Sequence, residues 1–279
     1  MRRVVQPGQI LLLKLLLAPT LVGLVSVAVA RLGERLGGII AAFPMVSGPV
    51  LLLFALEQGP AFTERAAHHS LFGLVSLVAY CVAYARMAPL VPSRAAPLVC
   101  LGVGWVSFGL VTLGVERSHP PEALGMPLAV LAIFLGARLL PKVATATPRE
   151  PQPPSRATRY LLPRMASAAA LVYALSEAAT VLGPRYSGLL TPFPVASTVL
   201  LVATHRELGM DAMVRWLHGF ITGLVGYVAF VTLLAWTLVG GGLVLGFSTG
   251  LVAAFAVQAW VASRRGIESR RKTNRTPEE

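Results

Sequence analysis

A chain of 279 residues that is 55% hydrophobic and 13% charged, with a mean hydropathy of +0.70, holds more apolar side chains than a water-soluble core can hide. That excludes an ordinary soluble domain and points to an all-α integral membrane protein whose first partner is the lipid bilayer. The net charge of +12 is read by location, because Lys and Arg beside apolar spans report orientation and attraction to anionic lipid; nucleic acid is not an expected partner.

Runs approaching the ~20 residues that cross about 30 Å of hydrocarbon fall at 10–32, 38–56, 70–90, 97–115, 124–140, 161–182, 187–203, 217–239 and 243–262, which makes nine expected transmembrane helices. The beginning imitates a signal peptide, with Arg2 and Arg3 ahead of an apolar run closing on Ala28, Val29 and Ala30. Lys14 interrupts that run, and the segment has a counterpart deep in the chain. It is therefore read as the first helix. Cys81 and Cys100 lie in apolar spans with no metal or disulfide spacing and read as buried thiols.

Offset against itself by 150 residues without a gap, the chain repeats: between 14–80 and 164–230, 22 of 67 positions are identical. The identities include Ser26/Ser176, Gly33/Gly183, Arg35/Arg185, Gly38/Gly188, Phe43/Phe193, Pro44/Pro194, Ser47/Ser197, Glu57/Glu207, Gly59/Gly209, Arg65/Arg215 and His68/His218. The expected organisation is a four-helix repeat over 1–120, a connecting helix over 121–141, a polar linker over 142–160, a second four-helix repeat over 161–263 and a basic, disordered tail over 264–279. Five spans precede the second copy. An odd number turns that copy over, giving the inverted repeats of many secondary transporters.

The charges agree. With a cytoplasmic C-terminus, eighteen Lys and Arg fall inside, among them Arg35, Arg86, Arg138, Lys142 and Arg215, against five outside, Arg2, Arg3, Arg65, Arg117 and Arg185.

The repeat unit carries Gly188-Leu189-Leu190-Thr191-Pro192-Phe193-Pro194, then a Glu-x-Gly (Glu57 and Gly59; Glu207 and Gly209), then an Arg (Arg65; Arg215) before an apolar helix. This pattern resembles the GlpM-like family of small four-helix bacterial inner-membrane proteins, here as two units in tandem. The resemblance implies a multi-pass protein of the bacterial inner membrane. By architecture alone the plan is also similar to inverted-repeat drug and metabolite transporters.

Three groups of residues could carry chemistry. Pro44 and Pro194 interrupt equivalent helices and free the carbonyls of Ile40 and Leu190, with Pro192 freeing that of Gly188; Ser47 and Ser197 stand close by. Equivalent interrupted helices in inverted halves point to a central substrate site, the plain alternative being a packing kink inherited twice. Glu57, Arg65 and His68 cluster at one helix turn and Glu207, Arg215 and His218 at its counterpart, as charged gates on opposite faces or as ordinary helix-end charges. Glu177 aligns with Val27, so it has no charged twin, and with Tyr173 and Thr180 it forms a polar stripe on the sixth span. An intramembrane carboxylate suggests a proton carrier or counter-ion, or else a side chain snorkelling to a helix end.

No GxSxG, P-loop or HExxH pattern is present, so neither an enzyme nor a metal or other cofactor is expected. The expectation is a secondary carrier, proton-linked and exporting a small organic or lipid-like solute, with a non-transporting scaffold as the alternative and a second copy of the chain as a further partner.

Overall fold

The computed structural model describes residues 34–91, 94–142 and 161–273, together with Leu16 and Thr20. The expected first span, most of the polar linker and residues 274–279 lie outside the described residues. Eight α-helices and two short 3-10 turns make up the rest, with no strand among the described residues: α1 Glu34–Ala41, α2 Ser47–Glu57, α3 Pro60–Met87, α4 Ala96–Ser118, α5 Gly125–Leu139, α6 Leu161–Leu190, α7 Val195–Leu208 and α8 Met210–Thr273. Among the described residues, four stretches are long and apolar enough to cross a membrane: Pro60–Leu90, Ala96–Ser118, Glu122–Leu139 and Met210–Arg264.

Prolines and glycines set the helix ends. The expected span 38–56 is two helices, because α1 stops at Ala41 and α2 restarts only at Ser47, with Pro44 between them. The span 187–203 is divided in the same way, α6 ending at Leu190 and α7 beginning at Val195. Both are full breaks where kinks were expected. The last two expected spans, continuous by range in α8, are two helical segments joined by a sharp turn at Gly242 (φ 79°, ψ 177°), and they fold back on each other, Thr237 bonding Thr249 (3.1 Å) and Gln258 the Gly223 carbonyl (3.3 Å); α6 likewise joins two segments at Gly183 (φ 70°, ψ 174°). The α2–α3 and α7–α8 turns rest on Gly59 (φ 91°) and Gly209 (φ 85°), repeat counterparts in a conformation that side chains with a Cβ avoid. At the other end of the chain α8 stays helical to Thr273, through residues expected as a disordered tail. Its Arg, Glu and Lys are good helix formers and extend a helix already nucleated.

Helix α5 lies between α3 and the first half of α8. Its Gly125 faces His68 and Leu71, Gly136 faces both Val78 and Ile221, and the Leu139 carbonyl accepts Arg86 Nε at 2.7 Å. At that same end His218 Nε2 is 3.2 Å from the Pro141 carbonyl. So α3 runs with α5 and the first half of α8 runs against it. The counterpart helices α3 and α8 are antiparallel.

Close backbone contacts then lock each half to the other. Gly38 in α1 sits against the Trp216 carbonyl and the Phe220 amide of α8, and its counterpart Gly188 sits against the Ala66 carbonyl of α3. Likewise Gly73 meets the Leu189 carbonyl while Gly223 meets that of Ile39. Each contact recurs with both residues replaced by their repeat counterparts. Without side chains at these positions the helices approach backbone to backbone. Trp216, Tyr80, Tyr84, Phe54, Phe72 and Phe230 fill the buried core around them.

Candidate functional site

The two proline breaks meet. In the first, the Phe43 amide turns back on the Ile40 carbonyl (3.0 Å) and the Gly48 amide starts α2 on the Pro44 carbonyl (2.8 Å). In the second, Phe193 bonds Leu190 (3.0 Å) and Thr198 bonds Pro194 (2.8 Å), bond for bond the same. The carbonyls of Ile40, Leu190 and Gly188, expected to seek partners elsewhere, are thus taken up locally by tight turns, Gly188 by the Thr191 amide at 3.0 Å. Ser47 Oγ joins the breaks by donating to the Thr191 carbonyl at 3.3 Å.

Between the breaks is a cleft of about 80 Å³, lined by residues 41–47, 191–194 and Ser197, with Leu77, Phe220, Leu224 and Tyr227 at its walls. Pro44, Pro194, Ser47 and Ser197 all reach it. Many of its residues are counterpart pairs, Leu77 and Tyr227 among them, so it sits where the halves cross. Tyr227 is the chemical asymmetry: its buried hydroxyl makes no hydrogen bond of proper geometry among the described residues, although the Ser47 and Ser70 hydroxyls are its polar neighbours. A second cavity, of about 940 Å³ and walled mainly by apolar side chains of α1, α2 and α8, shares Phe43, Pro44 and Met45 with the cleft. Phe43 packs there at a tilt against Phe255 (centroids 4.5 Å), as its counterpart Phe193 meets Trp105 (6.1 Å).

The other expected residues lie elsewhere. Tyr173 and Glu177 share one face of α6, as their spacing requires, but that face is exposed and neither lines the cleft; the Thr180 side chain is outside those described. Nothing in an i, i+4 spacing says which way a stripe faces. The first gate group, Glu57 and His68 half-buried with Arg65 exposed, belongs to the α2–α3 turn, where His68 approaches the start of α5. The second, Glu207 exposed with Arg215 and His218 half-buried, belongs to the α7–α8 turn, where His218 approaches the other end of α5. The groups occupy opposite ends of the molecule, away from the cleft lining.

Three contacts have no forewarning in the sequence. Arg185 pairs with the Glu116 carboxylate (3.5 Å), donates to the Glu116 carbonyl (2.6 Å) and faces His119 Nδ1, while Tyr186 donates to Glu116 Oε1 (3.0 Å). That bond and the carboxylate charge raise the Tyr186 phenol above its ordinary range. Tyr80 bonds Thr198 (2.9 Å) and Tyr84 bonds His205 Nδ1 (3.2 Å), both across the two halves. Lone polar residues in apolar helices were the available signal, but their pairing is a matter of tertiary register. Among the described residues no cluster of three His, Cys, Asp or Glu could hold a metal ion.

The class that fold and site define is an all-helical protein with apolar helices of membrane-crossing length and a cleft where two broken helices meet. No family model matches the chain, and neither a curated protein nor a solved structure is significantly similar to it.

Proposed function

We propose that the chain is a secondary carrier of the bacterial inner membrane, C-terminus cytoplasmic, built from two inverted repeats and binding a small solute between the proline-broken helices. The meeting of both breaks at one cleft carries this reading. The reciprocal glycine contacts and the antiparallel course of α3 and α8 support the inversion. So does the separation of Arg185, beside the turn after α4, from Arg35, whose carbonyl abuts Gly219 near the start of α8.

Access to Ser47 and Ser197 distinguishes a carrier from a scaffold before any substrate is known. With Cys81 and Cys100 buried, Ser47→Cys or Ser197→Cys in sealed vesicles should react with a membrane-impermeant thiol reagent from both sides, in alternation. A cleft closed to both sides throughout would leave the scaffold. Proton linkage through Glu177 is a separate matter, since that residue is away from the cleft. Glu177→Gln should abolish pH-driven flux with folding intact, and an unchanged pH profile would reduce Glu177 to a structural role.

A further inference from the structure

We propose that the solute taken by the cleft is small, uncharged and amide-like, carrying a hydrogen-bond acceptor and a donor side by side. The two breaks leave unmatched groups of both kinds. Among the described residues the amides of Val46 and Ser47, at the start of α2, and of Ser197, in the first turn of α7, meet no acceptor, as befalls the first N–H groups of a helix. The Tyr227 hydroxyl, on a residue only 3% exposed, belongs to the same lining and keeps its proton to donate.

Acceptors are left over too. The carbonyls of Ala41 and Ala42, where α1 runs out, and of Met45 receive no N–H among the described residues. For Met45 the cause is Pro49, which holds the place whose amide would close the first turn of α2 and has no proton to give. By contrast, the Pro44 and Pro194 carbonyls are taken by the Gly48 and Thr198 amides, at 2.8 Å each, and the Thr191 carbonyl by the Ser47 hydroxyl at 3.3 Å.

Charge is what the lining lacks. No carboxylate, amine, guanidinium or imidazole is among its residues, and α1 and α6 end there while α2 and α7 begin there, so dipoles of both signs converge and largely offset. A solute with a net charge would leave water for a place without a counter-charge. An anion would also leave the Ala41, Ala42 and Met45 carbonyls unmatched, and a cation the Val46, Ser47 and Ser197 amides. A carbonyl beside an NH2 group answers both sets. At about 80 Å³ the cleft holds about five to eight water-sized groups, at ~10–15 Å³ for each, which suits a solute of that scale. Transport of the solute rests on the carrier reading; its binding does not.

The test compares three molecules of one shape: acetamide, with an acceptor and a donor; acetate, with acceptors and a negative charge; and acetamidinium, with donors and a positive charge. Each is titrated at neutral pH and constant ionic strength against the full chain in a neutral detergent, with binding read by saturation transfer to the methyl protons of the ligand. Acetamide should bind saturably and at least tenfold more tightly than either ion. Tyr227→Phe should weaken it about threefold to tenfold by removing a donor. Pro49→Ala should weaken it to a similar degree, because the new amide caps the Met45 carbonyl from a position that is not among the lining residues. Ser118→Ala, whose hydroxyl bonds Val115 away from the cleft, should leave it unchanged. Acetate or acetamidinium binding as tightly as acetamide overturns the proposal, and so does the lack of a saturable signal with acetamide, or an affinity unchanged in both Tyr227→Phe and Pro49→Ala. Saturable binding without acetamide uptake above that of protein-free vesicles would end the carrier reading and leave the site. Uptake of a charged solute, with no binding of acetamide, would end the solute class and leave the carrier.

Discussion

His205 shows how one residue can tie the halves together. It stands half-buried in the last turn of α7, past the apolar part of that helix, with Nδ1 and the Tyr84 hydroxyl of α3 hydrogen-bonded at 3.2 Å. Burial lowers its pKa below the ordinary 6.5. The sign follows from linkage: as pH falls through about 6.5 the unfolded chain takes up this proton before the folded one does, so folding stability is full above that pH and declines below it. Thermal unfolding between about pH 7.5 and 5 should show this decline, and His205→Gln should flatten its contribution; an unchanged slope would assign the acid sensitivity elsewhere. Glu177 teaches the opposite lesson. Its lack of a charged twin and its alignment with Tyr173 could be read in the sequence, but the exposed setting of that face could not.

At the scale of helices, the proline breaks were legible because proline cannot donate the amide that a continuing helix needs. How far the chain would unwind was not. The turns at Phe43 and Phe193 capture the loose carbonyls within three residues, and the breaks stay open because each lies against the other through Ser47 and Thr191. Small residues at the crossing have a measurable consequence. A Cβ at position 38 would run into the Trp216 carbonyl and the Phe220 amide, and one at position 188 into the Ala66 carbonyl. Gly38→Ala and Gly188→Ala should each destabilise by about 1–3 kcal/mol, since backbone has to shift to admit the methyl group. Gly102→Ala, with nothing within 4 Å of the added Cβ, should be neutral or stabilising by up to ~1 kcal/mol. Equal shifts in Tm for all three would contradict the backbone-to-backbone crossing.

For the molecule as a whole, orientation is the quantity to measure. Reporter tags at the C-terminus and in the linker near Gln152 should both signal cytoplasm, and one near Pro120 the outside. An external C-terminus would undo the charge count and the inverted reading with it. The structure keeps the ends apart as this requires: His119 lies with Arg185 at one end, while Leu139 and Pro141 lie with Arg86 and His218 at the other.

By itself the sequence determined the apolar helical class, the duplication and the two break points, because hydropathy, repetition and the missing proline amide are properties of residues in order. Tertiary structure decided the rest. Only the exchange of contacts between halves brought Ser47 to Thr191 and Tyr227 to the same cleft, turned Glu177 outward, and paired Arg185 with Glu116. Those outcomes depend on which helix faces pack together. A spacing along one helix places residues on a common face, but the partner that face meets is set by the free energy of the whole assembly.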